Sequence, residues 1–118
     1  MDKILKFKNN DLYLKVGKYR NNGSIAILAY TKDDFYGDIT INLTGYSVDT
    51  NEGFINPINK DSGLEKELIK KGIIEEVIAQ VNHNMGVYDM VVFNIKKLKE
   101  YDSKGIVEYL KEYEEEFE

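Results

Sequence analysis

DITINLTGYSVDTNEGFINPINKDSGLEKELIKKG, residues 38–72, is the stretch on which the fold turns. Its first six residues alternate, Ile39, Ile41 and Leu43 on one face and Thr40 and Asn42 on the other, which predicts a half-buried strand over Asp38–Leu43. Thr44–Gly53 is polar and irregular. Gly53–Ile58 holds Phe54, Ile55 and Ile58 around Pro57, the one proline. A proline has no amide to give a ladder, so this piece is expected at a sheet edge or in an extended loop. Ser62–Lys71 reads as the first helix. Ser62 with Glu65 three residues on predicts a capping box. Leu64, Leu68 and Ile69 form an apolar stripe, and Gly72 is the expected left-handed stop behind Lys70 and Lys71.

Upstream, Ile4–Phe7 reads as a short edge strand. Asp11–Tyr19 alternates with Leu12, Leu14 and Val16 inward. Asn21-Asn22-Gly23 supplies the positive φ angles of a tight turn, and Ser24–Thr31, apolar on both faces, answers it as a central strand. Only Lys32–Gly37 separates that strand from Asp38, so an antiparallel meander is expected; parallel neighbours need long crossovers. Downstream, Ile74–Val81 and Val87–Ile95 predict a second hairpin across Asn82–Gly86. The latter strand is apolar on both faces except at Asp89 and Asn94. Ile106, Tyr109, Leu110, Tyr113 and Phe117 recur at helical spacing, so a last helix is expected from about Ser103 to Glu116, with an acidic opposite face. The expectation is one α+β domain over residues 1–118: an antiparallel sheet of five or six strands, meander plus second hairpin, with two helices packed on it.

A chain of 118 residues can bury a core without disulfides or metal. It has no cysteine, which removes thiolate metal sites and cysteine nucleophiles and fits a reducing compartment. Met1 leads into Asp2 and Lys3, and no apolar run reaches the length of a signal or membrane segment, so a soluble cytoplasmic protein with no membrane partner is expected. The net charge of -5 is unevenly spread. Residues 1–20 sum to +4, while residues 33–61 and 108–118 each sum to -5. Either the basic and acidic ends lie near each other and balance, or the acidic helix meets a basic partner. The overall acidity argues against direct nucleic-acid binding.

Few residues invite chemistry. His83, the single histidine, falls in the predicted hairpin loop beside Asn82 and Asn84 and reads as an exposed turn residue. Asp33, Asp34 and Asp38 bracket an aromatic turn, Phe35-Tyr36-Gly37; clustered carboxylates can hold a hard cation, but the spacing is not that of an EF-hand and they read as solvated acids, as do Asp49 and Glu52 beside Asn51. Asp89 interrupts an apolar strand, and a buried carboxylate must be paired or protonated. Phosphate-loop, nucleophile-elbow and zinc-protease motifs are missing, and no cofactor is expected.

The middle of the chain resembles a family of small uncharacterised bacterial proteins found on conjugative elements and phages. The resemblance rests on Thr40-Ile41-Asn42-Leu43, on Gly53-Phe54-Ile55-Asn56 leading to Asn59, and on Leu68 to Gly72 followed by Ile73. It spans residues 24–75, with a looser match through the next hairpin; Pro57 and the long acidic helix depart from the pattern. It implies an accessory protein of a mobile element and carries over no catalytic residue. Function is therefore expected in protein interaction rather than catalysis, with Glu108, Glu112, Glu115 and Glu116 as the candidate binding residues. The alternative is an acidic inhibitor or DNA mimic that occupies a basic nucleic-acid-processing or defence protein.

Overall fold

The computed structural model describes residues 2–117, with side chains described through residue 112. Strands β1 (Leu5–Phe7), β2 (Asn10–Lys18), β3 (Ile25–Tyr30) and β4 (Phe35–Asp38) form a four-stranded antiparallel meander in that order. Strands β5 (Thr40–Ile41), β6 (Glu52–Ile55), β7 (Ile74–His83) and β8 (Gly86–Phe93) form a second antiparallel sheet in the order β5-β6-β8-β7. Helices α1 (Pro57–Ser62) and α2 (Leu64–Lys70) follow β6, and α3 (Ile95–Tyr101) and α4 (Ser103–Phe117) follow β8. The α+β class and antiparallel pairing are as expected. The single sheet of five or six strands with two helices is corrected to two sheets of four strands and four helices.

The correction originates in the stretch 38–72. The expected strand Asp38–Leu43 does not stay in one sheet. Ile39 N donates to Ile27 O at 2.9 Å while Ile39 O accepts from Asn56 N at 3.0 Å, so the chain passes from the first sheet to the second at Ile39. Thr40, expected outward, is buried. Its hydroxyl accepts from Ile27 N at 3.0 Å and shares a hydrogen bond with the Tyr19 hydroxyl at 2.9 Å. Ile41, expected inward, is only half-buried. Asn59 closes the crossing, its side-chain amide donating to Asp38 O at 2.8 Å and Ile39 O at 2.9 Å.

Glu52–Ile55 is an inner strand, paired on both sides, because Pro57 lies beyond it at the start of α1. There its missing amide costs nothing, since the first helical amides have no intrahelical partner. The expected helix Ser62–Lys71 is two helices. Gly63, at φ 91°, ends α1 and begins α2. The capping box does not form: Ser62 Oγ accepts from Leu64 N at 3.3 Å, and Glu65 turns inward, buried. Gly72 holds φ 79°, and Ile73 N donates to Leu68 O at 3.0 Å, which is the left-handed helix end expected there. Asn94, expected in a strand, is the N-cap of α3 and accepts from Lys97 N at 3.0 Å.

One contiguous core joins the layers. Ile25, Ile27 and Ala29 of β3 pack with Val91 and Phe93 of β8, Leu64 and Leu68 of α2, and Ile106 and Tyr109 of α4. The sheets approach so closely at Gly53 that a Cβ there would lie 3.2 Å from Phe93 Cε2 and 3.3 Å from Ile25 Cγ2.

Candidate interaction surfaces

Helix α4 is stapled to β2 by one carboxylate. Asp102 Oδ1 accepts from Gly105 N at 3.1 Å, as an N-cap does, and Asp102 Oδ2 accepts from Val16 N at 2.8 Å. A groove of about 560 Å³ runs beside this staple, lined by Tyr13, Lys15 and Tyr30 on the sheet and Lys104 and Glu108 on the helix. It continues into a second concavity where Glu112 faces Lys18 and Arg20. Of the expected binding residues, Glu108 and Glu112 thus line the same concavities as Lys15, Lys18 and Arg20. The side chains of Glu115 and Glu116 lie outside the described residues.

A polar cluster fills the contact between α1–α2 and the β7–β8 hairpin. Asp89 is 6% exposed. Its Oδ1 accepts from Gln80 Nε2 at 2.9 Å, and its Oδ2 lies 3.3 Å from Lys60 Nζ. Of the two expected outcomes for a buried Asp89, paired or protonated, the structure shows the first. Glu65, also 6% exposed, hydrogen-bonds the Asp89 carboxylate, and its Oε1 has no partner among the described residues. Burial first, then the hydrogen bond and charge of Asp89, push Glu65 up to about 7. Burial works against ionisation of Asp89, but hydrogen bonds from Glu65, Gln80 and Lys60 hold it below the usual carboxylate range. Sequence reasoning assigned Glu65 to a cap. The missed signal is its place three residues before Leu68, next to the apolar stripe.

The β7–β8 hairpin carries the most exposed apolar group of side chains. Val77 and Ile78 of β7 are 41% and 40% exposed, Val87 of β8 is 56% exposed, and Met85 is fully exposed. β7 is the terminal strand of its sheet and bulges near Glu75 and near Ile78. The strands run further than expected, to His83 and from Gly86, leaving a two-residue turn. Asn84 at φ 45° and Met85 at φ 68° give it the twist of a tight hairpin. Met85 sits where glycine is favoured, at a cost of about 1 kcal/mol. Sequence reasoning passed over this surface. The signal was IEEVIAQVNH itself, which is apolar without regular alternation.

The remaining candidates make local structure. The His83 ring lies 3.3 Å from Asn84 Nδ2 and edge-on to Tyr46. Asp34 N donates to Thr31 Oγ1 and Thr31 N to Asp34 O, closing a turn. Glu52 Oε1 accepts from Asp49 N in another. No group of three His, Asp or Glu side chains among the described residues is placed to hold a metal ion, and none of the described helices is long and apolar enough to cross a membrane.

The sequence pattern of a family described as a domain of unknown function (DUF4313) matches residues 13–113. A family without assigned activity is what the resemblance at Thr40–Leu43 and Gly53–Asn56 implies, and that much is matched. No curated protein and no solved structure matches the chain.

Proposed function

We propose, from the premise that the chain belongs to the family DUF4313, a domain of unknown function, that it is a non-enzymatic interaction module docking a partner protein through the β7–β8 hairpin. The observation that carries this reading is the exposure of Val77, Ile78, Val87 and Met85 along one hairpin, whose tip holds Met85 in a disfavoured backbone conformation. Scattered apolar residues are ordinary on a surface; several exposed on one hairpin point to a contact site. Backbone strain kept at an exposed tip points the same way. The non-enzymatic reading is supported by what His83 and Asp89 touch: an asparagine and a tyrosine in one case, a lysine, a glutamine and a second carboxyl in the other.

Placement in the cytoplasm, as an accessory factor of a mobile element, belongs to the same proposal. It is supported by the absence of cysteine and by the resemblance described above. An acidic mimic calls for a continuous acidic ridge, whereas over residues 103–112, where its side chains are described, α4 interleaves Lys104 and Lys111 with Glu108 and Glu112.

The test is affinity capture from cells with three forms of the protein: wild type, Ile78→Ser with Val87→Ser, and Glu108→Gln with Glu112→Gln. The hairpin pair should weaken capture of a specific partner by about tenfold or more while circular dichroism stays unchanged. The glutamate pair should leave capture intact. Loss with the glutamate pair alone, with strong salt dependence, would replace the hairpin by the acidic helix.

A further inference from the structure

Four elements contribute one polar side chain each to the cluster under α1–α2: Lys60 from α1, Glu65 from α2, Gln80 from β7 and Asp89 from β8. These are the groups that face the two carboxyls from every element packed there. Two carboxylates in contact away from water do not both ionise readily. The surroundings decide which one keeps the proton. Gln80 Nε2 and Lys60 Nζ both direct hydrogens at Asp89, at 2.9 Å and 3.4 Å to its Oδ1. Among the described residues, Glu65 Oε1 receives none. The proton therefore sits on Glu65 and bridges to Asp89.

We propose that Glu65 and Asp89 share one proton and form a pH-sensitive latch that holds the α1–α2 helix pair against the β7–β8 hairpin. When the proton leaves to solvent, the O–H···O bridge is lost and two negative charges face each other. The side chain of Lys60 is 56% exposed, and its single charge balances only one of them. The latch then opens at α2. It acts within the fold and stands independently of whether the hairpin docks a partner.

Glu65 is raised to about 7 in the folded chain from 4.5. The folded state thus holds a proton that the unfolded state releases earlier. The contribution is full below about 4.5, declines as pH rises, and is gone once pH passes about 7. Between pH 5 and pH 8 the unfolding equilibrium constant should rise about 100-fold from this site.

Urea denaturation of the full chain at intervals from pH 5 to pH 8, for wild type and Glu65→Gln, tests the proposal. Glutamine keeps a hydrogen to give Asp89 and cannot titrate. The wild type should show the rise and Glu65→Gln should be flat over the same range. A carboxyl carbon resonance of one glutamate should titrate near pH 7 in the wild type, a readout that does not depend on the variant folding. Amide exchange at Leu68, corrected for the intrinsic rate, should gain on that of Val16 between pH 6 and pH 8. A slope that survives in Glu65→Gln overturns the latch. So does a wild type with no carboxyl titrating above pH 6, or one in which Leu68 and Val16 keep their relative protection.

Discussion

Gly105 shows how one residue can be fixed by its neighbours. In the first turn of α4, alanine would normally gain about 1 kcal/mol over glycine in helix propensity. Here a Cβ would lie 2.0 Å from Asp102 Oδ2 and 2.8 Å from the Val16 carbonyl oxygen. The Asp102 carboxylate would have to leave both amides it accepts from, and unsatisfied buried groups cost about 1–3 kcal/mol each. The clash outweighs the propensity, so Gly105→Ala should destabilise by about 2–4 kcal/mol in urea denaturation. An equal or higher midpoint would remove the staple from the account. The same scale shows why the resemblance motif says little about activity. Thr40 satisfies a strand amide, Asn59 spans two carbonyls where the chain changes sheets, and Gly53 lets the sheets touch. These are architectural duties. Thr40 reads as an outward residue from alternation alone, because the sheet crossing that buries it depends on residues far along the chain.

Elements were legible where local physics sets them. The left-handed stop at Gly72 follows from the helix before it, and a side chain would not clash there: a Cβ would make ordinary contact with Lys97 Cε at 3.6 Å. Only backbone strain then opposes a side chain, so Gly72→Ala should cost about 1 kcal/mol. An unchanged thermal midpoint would contradict that. Strand β2 and helix α4 were equally readable, since one face of each is wet and the other buried, and β3 was readable as a central strand because both its faces are apolar. Gly63 was not. A glycine inside an apolar helical pattern can be tolerated, and only the turn that aims α1 and α2 at different strands requires its φ of 91°. Helix α3 hid behind β8 because Asn94, its cap, also fits a strand end. The hairpin surface went unread for a different reason: exposure of an apolar strand is decided by what covers it, and the order β5-β6-β8-β7 leaves β7 outermost.

At the scale of the whole molecule, charge and core pull apart. The segment charges foresaw a basic end and an acidic end, and the fold sets parts of them across one groove. Which acids titrate abnormally could not be foreseen, because burial and not sequence spacing raises Glu65. Its effect on global stability is on the order of 3 kcal/mol, present in acid and lost by neutral pH. Asp89 has the opposite sign. Its folded value lies below 3.8, so its contribution is present above that value and is lost as pH falls through the lowered one. Stability should therefore peak on the acid side of neutrality and fall on both limbs. Asp89→Asn should flatten the limb below pH 4, as read by the thermal midpoint at pH 2.5, 3.5 and 4.5; a limb unchanged by that substitution would assign acid unfolding to other carboxylates.

The carboxylate that staples α4 to β2 has a consequence for the chain during its synthesis. Val16 and Asp102 are separated by 86 positions, and at about 5–20 residues per second the ribosome needs roughly 4–17 seconds to travel between them. Through that interval the meander can assemble with the Val16 amide still waiting for its acceptor, so the nascent protein carries an open strand margin that the finished one does not. Arrested chains ending before residue 102 should accordingly associate with one another, or recruit chaperones that bind extended segments, more readily than chains released at full length.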